Sequence, residues 1–247
     1  MNMEKIKERG LRKMRFSPAD AATSMNLVCG LLSMVMAAHG QFHQSIWLIV
    51  MAMLFDSIDG NLAKMFNTVS DFGRQLDSLA DMVSFGTAPA FLFAEMFIQP
   101  DFSFISFLAP ATYTVCAAVR LARFNLKQPT PGYFQGLPSP AAALCVVMFA
   151  LAALHLGWTV HPIFSNGALM FMAIVAFLMV GSILYPKPFG AEYEIWKPFF
   201  ALEGTAFLLV WAVFDRETGF LVFMLFYVLG APFYGLTLQR KTVHAMN

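Results

Sequence analysis

The chain has few charged residues for its length. Only 13% of its 247 residues are Asp, Glu, Lys or Arg, whereas ordinary globular proteins carry roughly 25%. Hydrophobic residues make up 58% of the chain, with 27 Phe and 17 Met among them. A soluble domain of this length would not carry so much apolar surface. The composition therefore excludes an ordinary soluble domain and indicates a membrane protein.

The chain also has few cysteines, a net charge close to zero and no visible internal repeat. The three cysteines, Cys29, Cys116 and Cys145, lie in apolar stretches without the spacing of metal ligands, so we interpret them as inert buried thiols. The net charge of +1 indicates no class of partner, and no nucleic-acid partner is expected. No repeat or low-complexity tract is visible, and the links between apolar runs are short. One compact bundle is predicted.

Apolar runs of about 20 residues predict transmembrane helices. The eight predicted spans are residues 19–39, 44–64, 75–97, 103–126, 139–157, 163–185, 196–214 and 218–239. The predicted fold class is therefore all-α, a polytopic membrane helix bundle of about eight transmembrane helices. The predicted divisions are a basic juxtamembrane segment at 1–18, a transmembrane domain at 19–241 and a tail at 242–247.

The distribution of basic residues predicts the orientation of this bundle. With a cytoplasmic N-terminus, fifteen of the sixteen Lys and Arg residues fall in cytoplasmic segments, and Arg216 falls outside. Such a bias places both termini in the cytoplasm of a multi-pass protein of a bacterial-type inner or plasma membrane. The N-terminus also has the outline of a signal peptide, but cleavage there would remove a span and disturb the charge alternation, so we expect the span to be retained.

Four aspartates stand inside one of the most apolar stretches. The run reads Asp56-x-x-Asp59-Gly60-x-x-Ala63-Lys64, then eight residues, then Gly73-x-x-x-Asp77-x-x-x-Asp81. On two helices joined by the turn-like segment 66–71, each half of the run falls on one face. Charged groups at membrane depth are rare and mark ion or substrate sites. The run therefore predicts four carboxylates around one cleft at the cytoplasmic side.

Carboxylate oxygens select hard cations such as Mg²⁺ or Mn²⁺. Four carboxylates can hold two ions roughly 3.5–4 Å apart, an arrangement that acts on phosphates, and Lys64 adds a positive charge nearby. A phosphorylated ligand is therefore expected. The isolated acids Asp20, Asp71 and Asp101 are interpreted as caps at span ends, and Glu95 and Glu203 receive no assignment.

The run resembles the signature of the CDP-alcohol phosphotransferase family, D-x-x-D-G-x-x-A-R-x8-G-x3-D-x3-D. Every fixed position matches except one, since Lys64 stands where the family has Arg. The resemblance implies a helical membrane enzyme, commonly a homodimer, that binds a CDP-linked lipid or alcohol. Because Lys lacks the planar fork of Arg, we expect the electrostatic role to persist with weaker nucleotide affinity.

The resemblance also implies a role for each residue of the run. It implies that Asp56, Asp59 and Asp77 ligate divalent metal, and that Asp81 is the general base and also touches the second ion. The implied CDP-binding residues are Thr23, Asn26, Gly60, Ala63, Lys64 and Gly73. For Thr23 and Asn26, ordinary polar packing between helices is the open alternative.

Three further stretches resemble one branch of the family, the membrane-embedded phosphatidylserine synthases. These are Gln75–Ala90, Arg120-Leu-Ala-Arg123-Phe-Asn125 and Gly136-Leu-Pro-Ser-Pro-Ala141. The resemblance implies transfer of the phosphatidyl group from CDP-diacylglycerol to L-serine by an enzyme embedded in membrane lipid. Arg120 and Arg123, and more weakly Asn125, are candidates for binding the acceptor or a phosphate. Alternatively, the two arginines face lipid headgroups and set topology.

Two other functions stay open at this stage. The same chemistry could use another acceptor, such as glycerol phosphate, inositol phosphate or choline. An ion-coupled membrane transporter could also place aspartates within spans. The clustering of the acids at one membrane face and the lack of a repeat disfavour the transporter.

Overall fold

The computed structural model describes residues 17–66, 70–98, 104–126, 133–158 and 162–186, together with residues 227, 228 and 230. Within these ranges the chain is helical apart from one pair of short strands, which confirms a mostly helical fold. The seventh predicted span, almost all of the eighth, the basic segment before Ser17, Asp101 and Glu203 lie outside the described residues. The count of eight spans and the position of the termini stay predictions.

The described elements follow one another closely along the chain. In order they are α1 (Pro18–Ala38), α2 (Phe42–Met65), α3 (Asp71–Asp81), a π-helical turn (Met82–Thr87), α4 (Ala88–Phe97), α5 (Phe104–Leu126), β1 (Tyr133–Gln135), α6 (Ser139–His155), α7 (Pro162–Val180) and β2 (Leu184–Pro186). The helix α3, the π-helical turn and α4 run on without a break, as the third predicted span requires.

The prediction for the end of the sixth span is wrong. The sequence places this end at residue 185, but α7 ends at Val180. The next residues form β2, which pairs antiparallel with β1 so that Phe134 lies opposite Tyr185. Tyr185 is fully buried, so its apolar character serves the packing of a strand and not the last turn of a helix.

The start of α1 is fixed by its own sequence. The Ser17 side chain accepts a hydrogen bond from the Asp20 backbone N–H at 3.2 Å, and the Asp20 carboxylate accepts one from the Ser17 N–H at 2.7 Å. Pro18 occupies the first turn, where its missing N–H costs nothing. The interpretation of Asp20 as a cap is confirmed.

Helices α1 and α2 form a closely packed pair. The buried Ser33 hydroxyl donates to the Ser45 carbonyl oxygen at 2.9 Å across this pair, a polar contact of the kind that joins helices in lipid. Among the described residues, Pro18–Ala38 and Phe42–Ala63 are long and apolar enough to cross a membrane. Large apolar side chains such as Leu31, Trp47 and Leu54 are exposed on their outer faces.

The main hydrophobic core holds α4 against α6 and α7. Phe93 and Phe97 of α4 are buried there, with ring centroids 5.8 and 6.1 Å from that of Phe149 on α6. Because α3 continues into α4, this packing also fixes the direction of α3 against α1. The acidic residues of α3 are thereby presented to the end of α2.

Candidate active site

Three aspartates from two helices meet at one point. Asp56 and Asp59 of α2 and Asp77 of α3 each offer a carboxylate oxygen, and these oxygens all lie within 4.8 Å of one another. Asp59 is buried, whereas Asp56 and Asp77 are half-buried. The donors are all carboxylate oxygens, the ligand type that Mg²⁺ and Mn²⁺ prefer. The residues therefore fit a divalent metal site, as the spacing of the run predicts.

Asp81 lies deeper, at the last residue of α3. Its side chain is buried, with 8% of its surface exposed, and it lies near Asp56. The π-helical turn begins at the next residue, and such turns are frequent at functional sites. Within the turn, the Phe85 carbonyl accepts a hydrogen bond from the Tyr113 hydroxyl at 3.0 Å.

Helix α1 supplies one hydrogen-bond donor to an acid of α2 and another to an acid of α3. The Thr23 hydroxyl lies 2.7 Å from Asp59 Oδ2 and donates to it. Asn26 Nδ2 donates to Asp81 Oδ1 at 3.4 Å. Asn26 is fully buried, and its Oδ1 has no hydrogen-bond partner among the described residues. The predicted CDP-binding pair thus contacts the acids directly.

A small cavity opens beside the acids at the ends of α1, α2 and α3. Its volume is about 160 Å³. Its lining residues are Ala19, Asp20, Thr23, Asp59, Gly60, Ala63, Ser70, Gly73, Arg74 and Asp77. The cavity therefore brings together four of the six predicted CDP-binding residues with two of the acids. Asn26 is not part of the lining, and the Lys64 side chain lies outside the described part of α2.

The two glycines of the cavity differ in what surrounds them. A Cβ on Gly73 would lie 3.0 Å from Asp20 Oδ1 and 3.2 Å from Ser70 Oγ, so any larger residue there would push these two side chains away by a few tenths of an ångström. A Cβ on Gly60 would meet no heavy atom within 4 Å. Packing therefore does not require Gly60, which leaves backbone open toward the cavity.

Sequence reasoning missed Ser70 and Arg74, and gave Asp20 only a capping role. The signal for the first two was present, because residues 70, 73, 74 and 77 fall at i, i+3, i+4 and i+7 on one helical face. Arg74 is exposed and pairs with Asp71, its Nη2 2.5 Å from Asp71 Oδ1. Arg74 therefore lies at the mouth of the cavity, on the surface of the protein.

The three candidate acceptor residues of α5 have different surroundings. Arg120 is buried near Asp56 and Asp81 and donates to the Ser139 hydroxyl. Arg123 donates from Nη1 to the Val180 carbonyl oxygen at 2.8 Å, at the end of α7. Asn125 donates to the Ser78 hydroxyl at 2.9 Å. Of the three, Arg120 is the buried one and lies near the acids.

This arrangement defines a class of protein. Clustered carboxylates beside a cavity with small side chains, at the end of long apolar helices, suit a phosphorylated ligand and divalent metal at a membrane. The chain belongs to the CDP-alcohol phosphatidyltransferase family, whose family model matches residues 16–185. The match covers every described element from α1 into β2.

Curated relatives agree with this assignment. The chain is 36% identical over 170 residues to the CDP-diacylglycerol–serine O-phosphatidyltransferase of Helicobacter pylori (strain ATCC 700392 / 26695), covering 67% of this chain and 70% of the relative. It is 35% identical over 173 residues to the enzyme of the same name from Bacillus subtilis (strain 168), covering 68% and 89%. It is also 33% identical over 173 residues to the archaetidylserine synthase of Methanothermobacter thermautotrophicus, covering 69% and 70%.

Proposed function

We propose that this protein is a multi-pass membrane enzyme that transfers the phosphatidyl group of CDP-diacylglycerol to the hydroxyl of L-serine and releases CMP. The observation that carries the proposal is the meeting of the Asp56, Asp59 and Asp77 carboxylates within 4.8 Å beside an open cavity. Membership of the family supports the reaction class. The names of the relatives support serine, which they share even where the lipid part of the name differs.

In this proposal the cavity receives the nucleotide part of the lipid substrate. Gly60, Ala63 and Gly73 present little side chain, so that a flat base or a sugar can lie against backbone. Arg74 lies at the same cavity and offers a planar guanidinium that matches a diphosphate through two parallel hydrogen bonds. Such a contact would compensate for Lys64 at the family's arginine position.

The acids are proposed to hold two divalent ions, Mg²⁺ or Mn²⁺. Asp56, Asp59 and Asp77 would be ligands, and Asp81 would also contact the second ion. When bound, the ions neutralise the charge of the diphosphate and of the departing CMP. Thr23 donates to Asp59 and so restricts the orientation of that carboxylate, a role that hydrogen-bond partners of metal ligands commonly have.

Asp81 is proposed as the general base. Its carboxylate accepts the proton of the serine hydroxyl while the serine oxygen bonds to the lipid-linked phosphorus. The bond from that phosphorus to the CMP oxygen breaks, and CMP leaves with the electron pair. Asn26 donates to one carboxylate oxygen of Asp81 from the side of α1 and so restricts the orientation of this carboxylate.

The membrane arrangement is part of the proposal. We propose the eight-span topology with both termini in the cytoplasm, a transmembrane domain at residues 19–241 with short flanking segments, and an active site open to the cytoplasm. The two long apolar helices with exposed apolar faces support the membrane location. A homodimer is expected from the family resemblance, and cross-linking in native membranes would test it.

The test is CMP release by the detergent-purified protein supplied with CDP-diacylglycerol and a panel of acceptors. We expect metal-dependent release with L-serine, and no release with glycerol phosphate, inositol phosphate or choline. Release with another acceptor alone would overturn the serine assignment and keep the reaction class. No release with any acceptor would overturn the proposed reaction class. Ion transport would then be the alternative function, although no observation on the described residues favours it.

A further inference from the structure

The π-helical turn Met82–Thr87 follows directly on Asp81, the proposed general base. Its backbone hydrogen bonds span five residues instead of four, and such turns are rare in proteins but frequent at functional sites. The Thr87 hydroxyl donates to the Met82 carbonyl oxygen at 3.1 Å, so the last residue of the turn is bonded to the first. The placement of Asp81 therefore depends on how this turn is held in the bundle.

Helix α1 holds the turn through Ser84. The fully buried Ser84 hydroxyl donates to the Asn26 carbonyl oxygen at 2.9 Å. Gly30 makes this approach possible, because a Cβ there would clash with the Ser84 side chain and would lie 2.8 Å from the Ser84 Cα. The Cα belongs to the backbone and cannot move aside as the end of a flexible side chain could. The turn and α1 are therefore in contact backbone against backbone.

Helix α5 holds the turn at the next residue. The Tyr113 hydroxyl is fully buried and donates to the Phe85 carbonyl oxygen at 3.0 Å. Two neighbouring residues of the turn are thus bonded to two different helices. These bonds restrict any shift of the turn relative to α1 and α5.

The contacts with α1 close a ring of interactions that includes Asp81. Asn26 accepts from Ser84 with its backbone carbonyl and donates from its side chain to Asp81 Oδ1 at 3.4 Å. A shift of the turn relative to α1 would therefore change the distance between the Asn26 amide and the Asp81 carboxylate. This hydrogen bond is already longer than the usual range of about 2.7–3.2 Å, so a small further separation would break it.

We propose that Ser84 is a positioning residue for the transfer reaction, which binds the π-helical turn to α1 and so fixes the Asp81 carboxylate against Asn26. In this role Ser84 acts through Asp81 and does not touch the reacting atoms. Tyr113 supports the same placement from α5. The inference rests on the proposed function and deepens it, because it names groups outside the acidic run on which the placement of the base depends.

The test compares Ser84→Ala with Ser33→Ala in the detergent-purified protein. Each variant removes a buried serine hydroxyl that donates to a backbone carbonyl oxygen of another helical element at 2.9 Å, so both should lower the melting temperature by similar amounts. Ser33 is the matched control, since it lies seven residues beyond Asn26, about 10 Å further along α1.

Only Ser84→Ala should lower kcat for CMP release. We expect a fall of about tenfold to a hundredfold, because a misplacement of about 1 Å in an active site can cost this much. The KM for L-serine, the KM for CDP-diacylglycerol and the affinity for CDP should change little, because the substrate-binding groups stay in place. Separate titrations of L-serine, CDP-diacylglycerol and CDP measure these quantities.

Other outcomes overturn the inference. An unchanged kcat in Ser84→Ala would mean that Ser84 only packs, and an equal loss of kcat in Ser33→Ala would mean a general loosening of α1. A raised KM with kcat intact would mean that the turn shapes a binding site and does not place the base. If Ser84→Ala fails to fold, Tyr113→Phe replaces it with the same expected and contradicting results, because it keeps the ring and removes the donor to Phe85. Wild-type protein that releases no CMP with any acceptor would overturn the proposed function itself, before any variant is compared.

Discussion

At the residue scale, the hydrogen bonds from α1 separate the acids by environment. Asp59 accepts a short hydrogen bond from a hydroxyl at 2.7 Å, whereas Asp81 accepts a longer one from an amide at 3.4 Å. Asp81 also lies near Asp56 and Arg120 and is less exposed to solvent than Asp77. These differences support the proposal that Asp81 is the general base and that the other three acids are metal ligands.

The first prediction concerns Asp81→Asn. The amide keeps the size of the side chain but cannot accept the serine proton, so we expect kcat to fall by about 10²–10⁴-fold. Nucleotide binding should be partly retained, because Asp81 does not line the cavity. CMP release and CDP binding measure the two effects. Glu95→Gln is the control, since this exposed acid lies on α4, away from the site. Wild-type turnover in Asp81→Asn would exclude the base assignment.

A second prediction concerns Thr23→Val. The substitution preserves shape and removes the donor to Asp59, so we expect the affinity for activating metal to fall by about 10- to 100-fold. Titration of activity with Mg²⁺ and Mn²⁺ measures this. Ser24→Ala is the neighbouring control, because among the described residues the Ser24 hydroxyl donates only to the Asp20 carbonyl of its own helix, at 2.8 Å. An equal loss in both variants would indicate general damage to α1.

At the element scale, periodicity predicted that the acids of α2 and α3 meet, and carboxylate oxygens of Asp56, Asp59 and Asp77 do lie within 4.8 Å of one another. It did not predict the π-helical turn after Asp81, which depends on contacts from distant helices. The Tyr113 hydroxyl bonds to the Phe85 carbonyl, and Gly30 lets Ser84 approach α1 so closely that a Cβ would lie 2.8 Å from the Ser84 Cα. Neither contact is encoded by local spacing.

The Ser139–Arg120 contact escaped prediction for the same physical reason. Arg120 and Ser139 come together because β1 pairs with β2 and the following segment bonds to the end of α7. Short apolar strands after a long apolar helix carry the same composition as more helix, so the sequence could not separate them. The acids and Arg120 could be named as candidates from the sequence, but the contact between Arg120 and Ser139 required the packed fold.

The third prediction compares Gly60→Ala with Gly167→Ala. Neither Cβ would meet a heavy atom within 4 Å, so both variants should keep or slightly raise thermal stability, since alanine favours a helix by roughly 1 kcal/mol. Only Gly60→Ala should weaken CDP binding, because its methyl group would enter the cavity that we propose for the nucleotide. Thermal melting and CDP titration measure the pair. Equal CDP affinity would show that the nucleotide does not lie against Gly60.

At the scale of the whole molecule, the cavity lies where α1 begins and α2 ends, on one side of the apolar pair. Helix α2 has 24 residues, about 36 Å at 1.5 Å per residue, which exceeds the roughly 30 Å of the hydrocarbon core. The connection around Gln41 and the segment at Phe66 would therefore lie on opposite membrane faces. The bias of basic residues predicts that the Phe66 face, with the acids, is cytoplasmic.

The last prediction tests that orientation with single cysteines at these two positions, Gln41→Cys and Phe66→Cys, after replacement of the three native cysteines by alanine. Both wild-type side chains are exposed, so either cysteine should react once the membrane is opened. In intact cells, a membrane-impermeant maleimide should label Gln41→Cys and leave Phe66→Cys unreacted. Labelling of Phe66→Cys alone would reverse the orientation and place the nucleotide site away from cytoplasmic CDP-diacylglycerol. Labelling of both would mean that α2 does not cross the membrane, in which case its exposed apolar face must be covered by other protein.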